Sequence, residues 1–306
     1  MTTPKVKINN IKVKPLPKDQ VEEKKALGWR LFPEPYCNIF LCARKKSGKT
    51  TTIGTILKHC ANEDTMVIII CSTIDMDPDW IAIQELLDER DIPFIKWTSI
   101  KDEEGNDRIK ELLTHWKREQ EEEAKALEEE LDEDGEPKEH DWADPKEGEE
   151  KVYDFGFTPG QLWTPEGDKG EEEQTEQEEE KPKESKYRVP QYIFVFDDAS
   201  SDLKNPSIKE FLKVNRHSKS KVILSSQYVK DILPEQCKQL DYWLVYQGHT
   251  EEVLKKIHKD ADLHIDFNQF VKLYNDATKD KYCFLYIDAR TGSFRKCFDK
   301  QYLVRE

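Results

Sequence analysis

The chain has 306 residues, enough for one large domain or two ordinary ones. Hydrophobic and charged residues each make up 36% of it, the first low and the second high for a globular protein, so a folded core is diluted by a solvated segment. That segment is residues 117–186, which hold 28 acidic and 10 basic side chains; its net charge of −18 exceeds the −15 of the whole chain and leaves +3 on the rest. The acidic balance therefore describes an insert, and a mildly basic body keeps a nucleic-acid partner open.

Seven cysteines, at 37, 42, 60, 71, 237, 283 and 297, form no CxxC pair, and several lie in apolar runs such as "NIFLCA" and "VIIICS". They read as small buried hydrophobes in a reducing compartment, neither disulfides nor zinc ligands. The N-terminal residues do not suit a signal peptide, and no run approaches the ~18 apolar residues of a membrane span, so a soluble intracellular protein is expected.

Residues 1–35 are Lys- and Pro-rich and read as an extended arm. "CNIFLCA" (Cys37 to Ala43) is a continuous apolar run, the pattern of a strand buried on both faces. "RKKSGKT" follows at once, then "TTIGTILKHC", with Ile53, Ile56 and Leu57 at helical spacing. "MVIIICS" is a second buried strand, "DPDWIAIQELLDER" a helix with Asp or Pro at its start, and "IPFIKW" a shorter strand. Blocks of like charge in 117–186 indicate a disordered or weakly helical insert, with an aromatic patch "VYDFGFTPGQLW" inside it.

Order returns at "QYIFVFDDAS", a strand ending in two aspartates. A helix over "NPSIKEFLKVNRH", the strand "SKVILSSQ", a helical connection, the strand "YWLVYQG" and a polar helix near "TEEVLKKIHKDA" complete the alternation. "YCFLYIDARTGSFRKCFD" closes the chain as a hairpin. The expected fold is α/β: a mostly parallel sheet with helices on both faces and a C-terminal β-hairpin, one domain over 36–306 interrupted by the acidic insert.

The chemistry gathers at strand ends. "ARKKSGKT" matches the phosphate-binding loop G-x-x-x-x-G-K-[ST] except that Ala43 stands at the first glycine. Gly48 permits the bend that brings backbone N–H groups to phosphate oxygens, so Ala43, Lys46, Ser47, Gly48, Lys49, Thr50 and Thr51 are the candidate nucleotide contacts. Lys49 would reach the β- and γ-phosphates, the Thr50 hydroxyl would hold magnesium, and the helix N-terminus would face the anion. "YIFVFDD" is an apolar strand ending in acids, the Walker B pattern. There Asp197 would reach Mg2+ and Asp198 would orient or deprotonate the attacking water. Gln227, ending the strand "KVILSSQ", suits a γ-phosphate sensor. Arg216 in "NRHSKSK" suits either a finger on a neighbour's phosphate or a basic helix end.

Taken together, "NIFLCARKKSGKTT", "MVIIICSTIDMDPDW", "YIFVFDDAS", "NRHSKSKVILSSQ" and "YCFLYIDARTG" resemble the viral genome-packaging ATPases of large eukaryotic DNA viruses, virophages and Polinton-like elements, P-loop NTPases of the FtsK/HerA superfamily. The resemblance covers nearly all of the chain outside the arm and the insert. It departs at Ala43, and at Asp198, where members commonly carry glutamate. It implies a RecA/FtsK-like fold and an ATPase using ATP and Mg2+. It also implies a homo-oligomeric ring, a hexamer, that threads double-stranded DNA without sequence readout into a preformed capsid, with capsid proteins as partners. The host cytoplasm or the virion is the implied location. Two alternatives stay open: another P-loop NTPase such as a kinase or GTPase-like switch, and a non-catalytic interaction protein with a decayed loop. The chain offers neither an NKxD motif for the GTPase nor an Arg-rich lid for the kinase.

Overall fold

Continuous apolar runs set the architecture, because a strand with no polar face must be covered on both sides. The computed structural model describes residues 24–130 and 186–303. Six strands run parallel, all but the partly exposed edge strand β3 buried throughout: β1 (Asn38–Cys42), β2 (Met66–Cys71), β3 (Phe94–Trp97), β4 (Tyr192–Asp197), β5 (Ser220–Ser226) and β6 (Tyr242–Tyr246). Three antiparallel strands extend the sheet: β7 (Phe284–Asp288), β8 (Ser293–Lys296) and β9 (Lys300–Gln301). Their order is β3-β2-β4-β5-β1-β6-β7-β8-β9.

Alternate strand residues feed two cores. Ile39 and Leu41 of β1 face the layer made by α1 (Lys49–Cys60) and α2 (Pro78–Asp88), together with Phe32. Phe40 and Cys42 face the opposite layer, to which α3 (Arg108–Glu130), α4 (Pro206–Val214), the single turn α5 (Pro234–Cys237), α6 (Glu251–Asp260) and α7 (Phe267–Ala277) contribute. The mostly parallel α/β sheet flanked by helices and the C-terminal hairpin are as the sequence indicates. Several helix starts follow from their residues. The Asp77 carboxylate accepts the Asp79 N–H at 3.0 Å ahead of Pro78, and Asn205 does the same for Ser207 at 3.1 Å ahead of Pro206. Caps of this kind contribute about 1 kcal/mol each.

Some elements differ from expectation. Helix α3 runs through Glu130, past Lys117 where the acidic insert begins by composition. Its first turns are amphipathic: Ile109 and Leu112 are buried, and the Trp116 ring lies 5.6 Å from Tyr192 and 6.0 Å from Phe211. Helix α7 has no counterpart in the sequence reading; Asp266 caps it, accepting the Asn268 N–H at 2.9 Å, and Phe270 and Tyr274 are buried. The last part of the expected arm is packed onto the body. Leu27 N–H donates to the Arg188 carbonyl at 2.9 Å, and Phe32 is fully buried against Tyr242 at 5.0 Å. A fully buried Lys221 explains itself here: its ammonium donates to the Glu34 carbonyl at 3.0 Å and sits 5.3 Å from the Phe32 ring. The aromatic patch at 152–163 and most of the insert lie outside the described residues. Among the described residues no helix is long and apolar enough to cross a membrane, and all seven cysteines are free, five of them buried.

Candidate functional site

In a parallel sheet every strand presents its C-terminal end at one edge, and the register brings three such ends together. Cys42 of β1 is level with Ser226 of β5, and Ser225 of β5 is level with Asp197 of β4. After β1 the chain leaves through α1 to the far side of β5 and β4, while β6 occupies the other flank. A crevice forms where strand connections diverge in this way.

The loop from Ala43 to Gly48 fills the mouth of that crevice. Ala43 is fully buried, its N–H donates to the Ser226 carbonyl at 3.0 Å, and its φ is not positive. The residue at the consensus glycine position, directly after β1, is thus still hydrogen-bonded to the neighbouring strand and needs no glycine. The bends come later, at Lys46 (φ 62) and Gly48 (φ 88), both left-handed. Such alternation turns successive N–H groups inward into a concavity that suits an anion. Gly48 caps α1 without a side chain, and a Cβ there would meet the Tyr282 ring at 3.1 Å, so the position requires glycine on both counts. The Ser47 hydroxyl is buried and unpartnered among the described residues. Thr50 is buried in the first turn of α1, and Thr51 is exposed.

Lys49 reaches across the crevice. Its ammonium lies 2.7 Å from Asp197 Oδ1 and 2.5 Å from Asp198 Oδ1. Burial alone would lower the lysine's pKa; the two carboxylates outweigh that and hold it above its ordinary value. Asp197 is 1% exposed, continues the α1/α2 face of β4, and takes a second donor on its other oxygen: Trp80 Nε1–H at 3.1 Å. Trp80 comes from "DPDW" at the start of α2 and is fully buried. Gly54 lets α2 approach α1 this closely, since a Cβ there would meet Ile83 at 3.2 Å.

Consecutive strand residues face opposite sides, so Asp197 and Asp198 could not both reach Lys49 in an extended chain. The left-handed backbone at Asp198 (φ 51) breaks the alternation and turns the second carboxylate back. Aspartate tolerates this region better than most residues. The longer glutamate is not needed for the contact.

Gln227 follows β5 at the same edge, half-buried. Beneath it, Asp231 accepts hydrogen bonds from the Ser226 hydroxyl and, at 3.2 Å, from Ser200, tying the ends of β4 and β5 together. The Ser225 hydroxyl is buried and has no partner among the described residues. On the other flank Tyr246 Oη donates to Thr52 Oγ1 at 2.6 Å, and His249 Nε2 donates to the Cys42 carbonyl at 3.2 Å.

The structure does not bring Arg216 to this group. It precedes β5, whose far end holds Gln227, and seven strand residues separate the two edges by roughly 20 Å. There it pairs with buried Asp241 at 2.9 Å beside Arg290. Sequence reasoning gave no role to Trp80, Tyr246, Asp231 or Tyr282. Only Trp80 left a signal, as the aromatic in "DPDW".

No family model and no curated protein matches the chain. Among solved structures, it is similar to the genome packaging NTPase B204 from Sulfolobus turreted icosahedral virus 2 in complex with AMP. The TM-score is 0.46 at 16% identity, covering 89% of this chain and 100% of that one. It is similar also to B204, the DNA-packaging ATPase from Sulfolobus turreted icosahedral virus, with TM-score 0.45, 17% identity and coverage of 89% and 99%. These values describe a distant likeness of form.

Proposed function

We propose that this chain is an ATPase that drives double-stranded DNA into a viral capsid, with the crevice at Lys49, Asp197 and Asp198 as its catalytic centre. The observation that carries the reading is the double contact of the Lys49 ammonium, at 2.7 Å and 2.5 Å, with two carboxylates 148 and 149 residues away. It joins a glycine-bent loop at a helix N-terminus to an acid-tipped strand, the two parts a phosphoryl-transfer site needs.

The residues present fit ATP and magnesium. The turned N–H groups, the orphaned Ser47 hydroxyl and the buried lysine suit a polyphosphate. Among the described residues no cluster of three or more His, Cys, Asp or Glu could hold a metal by itself. Magnesium commonly takes one or two protein ligands and completes its shell with phosphate and water, and Thr50 with Asp197 would be such a pair. Bound Mg-ATP supplies the reactive γ-phosphoryl group.

The chain's own groups would do the rest. Lys49, drawn off the acids by phosphate oxygens, neutralises charge on the transferring group. Asp198, released from Lys49, orients the attacking water and accepts its proton. Trp80 holds Asp197 in place throughout, and Gln227 sits at the edge where a sensor of the terminal phosphate belongs. Arg216, at the opposite edge, could contact only a neighbour's nucleotide, as a ring would allow.

The packaging role rests on the resemblance of the quoted motifs, and the body's net charge of +3 outside 117–186 is compatible with backbone contact to duplex DNA. The ATPase rate with and without duplex DNA, beside Lys49→Ala and Asp197→Ala, tests it. DNA-stimulated hydrolysis abolished by both substitutions is expected. ATP binding without hydrolysis, or hydrolysis indifferent to DNA, would leave a switch or a scaffold instead.

A further inference from the structure

Tyr282 is the one exposed aromatic that touches the phosphate loop among the described residues. It is 55% exposed, sits in the turn between α7 and β7, and adopts a left-handed backbone (φ 68). A bulky residue rarely holds that conformation without compensation, and such strain points to function. Its ring Cδ1 lies 3.1 Å from where a Cβ on Gly48 would stand. The placement follows from topology: β7 runs antiparallel to β6, with Phe284 opposite Tyr246, so the turn before β7 arrives at the edge where the parallel strands end. Tyr246 in turn holds the first turn of α1 through Thr52.

The electrostatics of the crevice orient whatever binds in it. Lys49 and both aspartates lie on the β5/β4 flank, so the terminal phosphate and its cation belong there. A nucleotide laid along the loop must then run its other end toward the β6/β7 flank. That flank offers an aromatic surface and the Lys281 ammonium, 4.6 Å from the Tyr282 ring centroid. The acid of that turn, Asp280, is engaged by Lys296 at 2.6 Å.

We infer that Tyr282 is the stacking platform for the nucleobase of the bound nucleotide, with the α7–β7 turn forming the base subsite. The inference rests on the ATPase reading above. Stacking is tolerant of base identity, because every base offers a π-face. Loss of one base–aromatic contact weakens binding by roughly 5-fold to 150-fold.

The test is calorimetric titration of the full chain with ATP and, separately, with inorganic tripolyphosphate, for the unsubstituted protein, Tyr282→Ala, Tyr282→Trp and Lys49→Ala. Tyr282→Ala should weaken ATP about 10-fold or more and leave tripolyphosphate unchanged, whereas Tyr282→Trp should keep ATP affinity. Lys49→Ala should weaken both ligands. Equal ATP affinity in Tyr282→Ala and the parent, or an equal loss for both ligands, overturns the base platform while the ATPase reading stands. If the parent protein binds neither ligand, the ATPase reading itself fails and takes the platform with it. Circular dichroism of each variant identifies any that fails to fold. In that event the retained affinity of Tyr282→Trp and the parent's preference for ATP over tripolyphosphate decide the matter, and no preference overturns it.

Discussion

Replacing Trp80 by phenylalanine removes one N–H and part of a ring from a fully buried position, and the consequences can be worked out from the geometry. The indole donates to Asp197 Oδ2 at 3.1 Å, and Asp197 is 1% exposed, so no water replaces the lost donor. A hydrogen bond to a charged group contributes about 1.5–3 kcal/mol, and the space left by the smaller ring adds about 1 kcal/mol. A total of roughly 2.5–4 kcal/mol lowers Tm by about 5–15 °C in a body of this size. Thermal and urea unfolding of the parent, Trp80→Phe, Asp197→Ala and the double variant form a cycle. In the Asp197→Ala background only the cavity part should remain, giving a coupling of about 1.5–3 kcal/mol. Under the proposed function, in which Asp197 would help hold magnesium, turnover gives a second reading: loss of a group that orients a metal ligand typically changes activity 10- to 100-fold, so kcat should fall by about that factor. Additivity within about 0.5 kcal/mol, with kcat unaltered, would refute the claim that Trp80 positions Asp197.

Ala43→Gly should restore the consensus and yet lower stability by about 1–2 kcal/mol, through added chain entropy and a lost buried methyl, with ATP affinity unchanged; chemical denaturation and titration check both. Gly48→Ala should do the reverse damage, since a Cβ is strained at φ 88 and crowds the Tyr282 ring at 3.1 Å: nucleotide affinity should fall at least 10-fold, and an unchanged affinity would contradict the loop geometry. His249 is held below its ordinary pKa of 6.5, first by burial and then by the Arg44 charge, against the pull of the Cys42 carbonyl. The unfolded chain therefore takes up a proton that the folded chain resists, so this contribution is full above pH 6.5 and is lost as pH falls below it. His249→Gln should flatten the stability loss between about pH 7 and pH 5, and an unchanged slope would exclude the histidine as its source. Arg216→Ala should leave the ATP affinity of the monomeric chain unaltered, because the residue sits at the opposite sheet edge, and a large affinity loss in the monomer would place it within its own chain's site.

The sheet and the core of the site were legible because each rests on a local signal. Runs such as Ile39–Cys42 and Ile193–Phe196 have no polar face, and a glycine and a lysine after the first and two aspartates after the second mark strand ends. The rest depended on contacts between distant segments. No sequence rule says that the tryptophan of "DPDW" reaches Asp197; that needs α2 seated on α1 over Gly54. Helix α3 was hidden because glutamates crowd its second half, although Ile109, Leu112, Leu113 and Trp116 recur at helical spacing. Helix α7 carried its own signal, Asp266 ahead of Phe267, Phe270, Val271 and Tyr274. Arg216 could have been placed from chain order alone, since residues before a parallel strand lie at the opposite edge from those after it. Ala43 departs from the consensus because that pattern assigns the position to the loop, whereas here its N–H is still hydrogen-bonded to β5.

Movement along DNA is the claim that separates a motor from every other user of this crevice. Displacement of a third strand from a duplex DNA triplex, followed by fluorescence with ATP, with a non-hydrolysable analogue and with Lys49→Ala, measures it directly. The account predicts displacement with ATP alone, at a rate that falls to background in the other two cases. Steady ATP hydrolysis with the third strand left in place would contradict it.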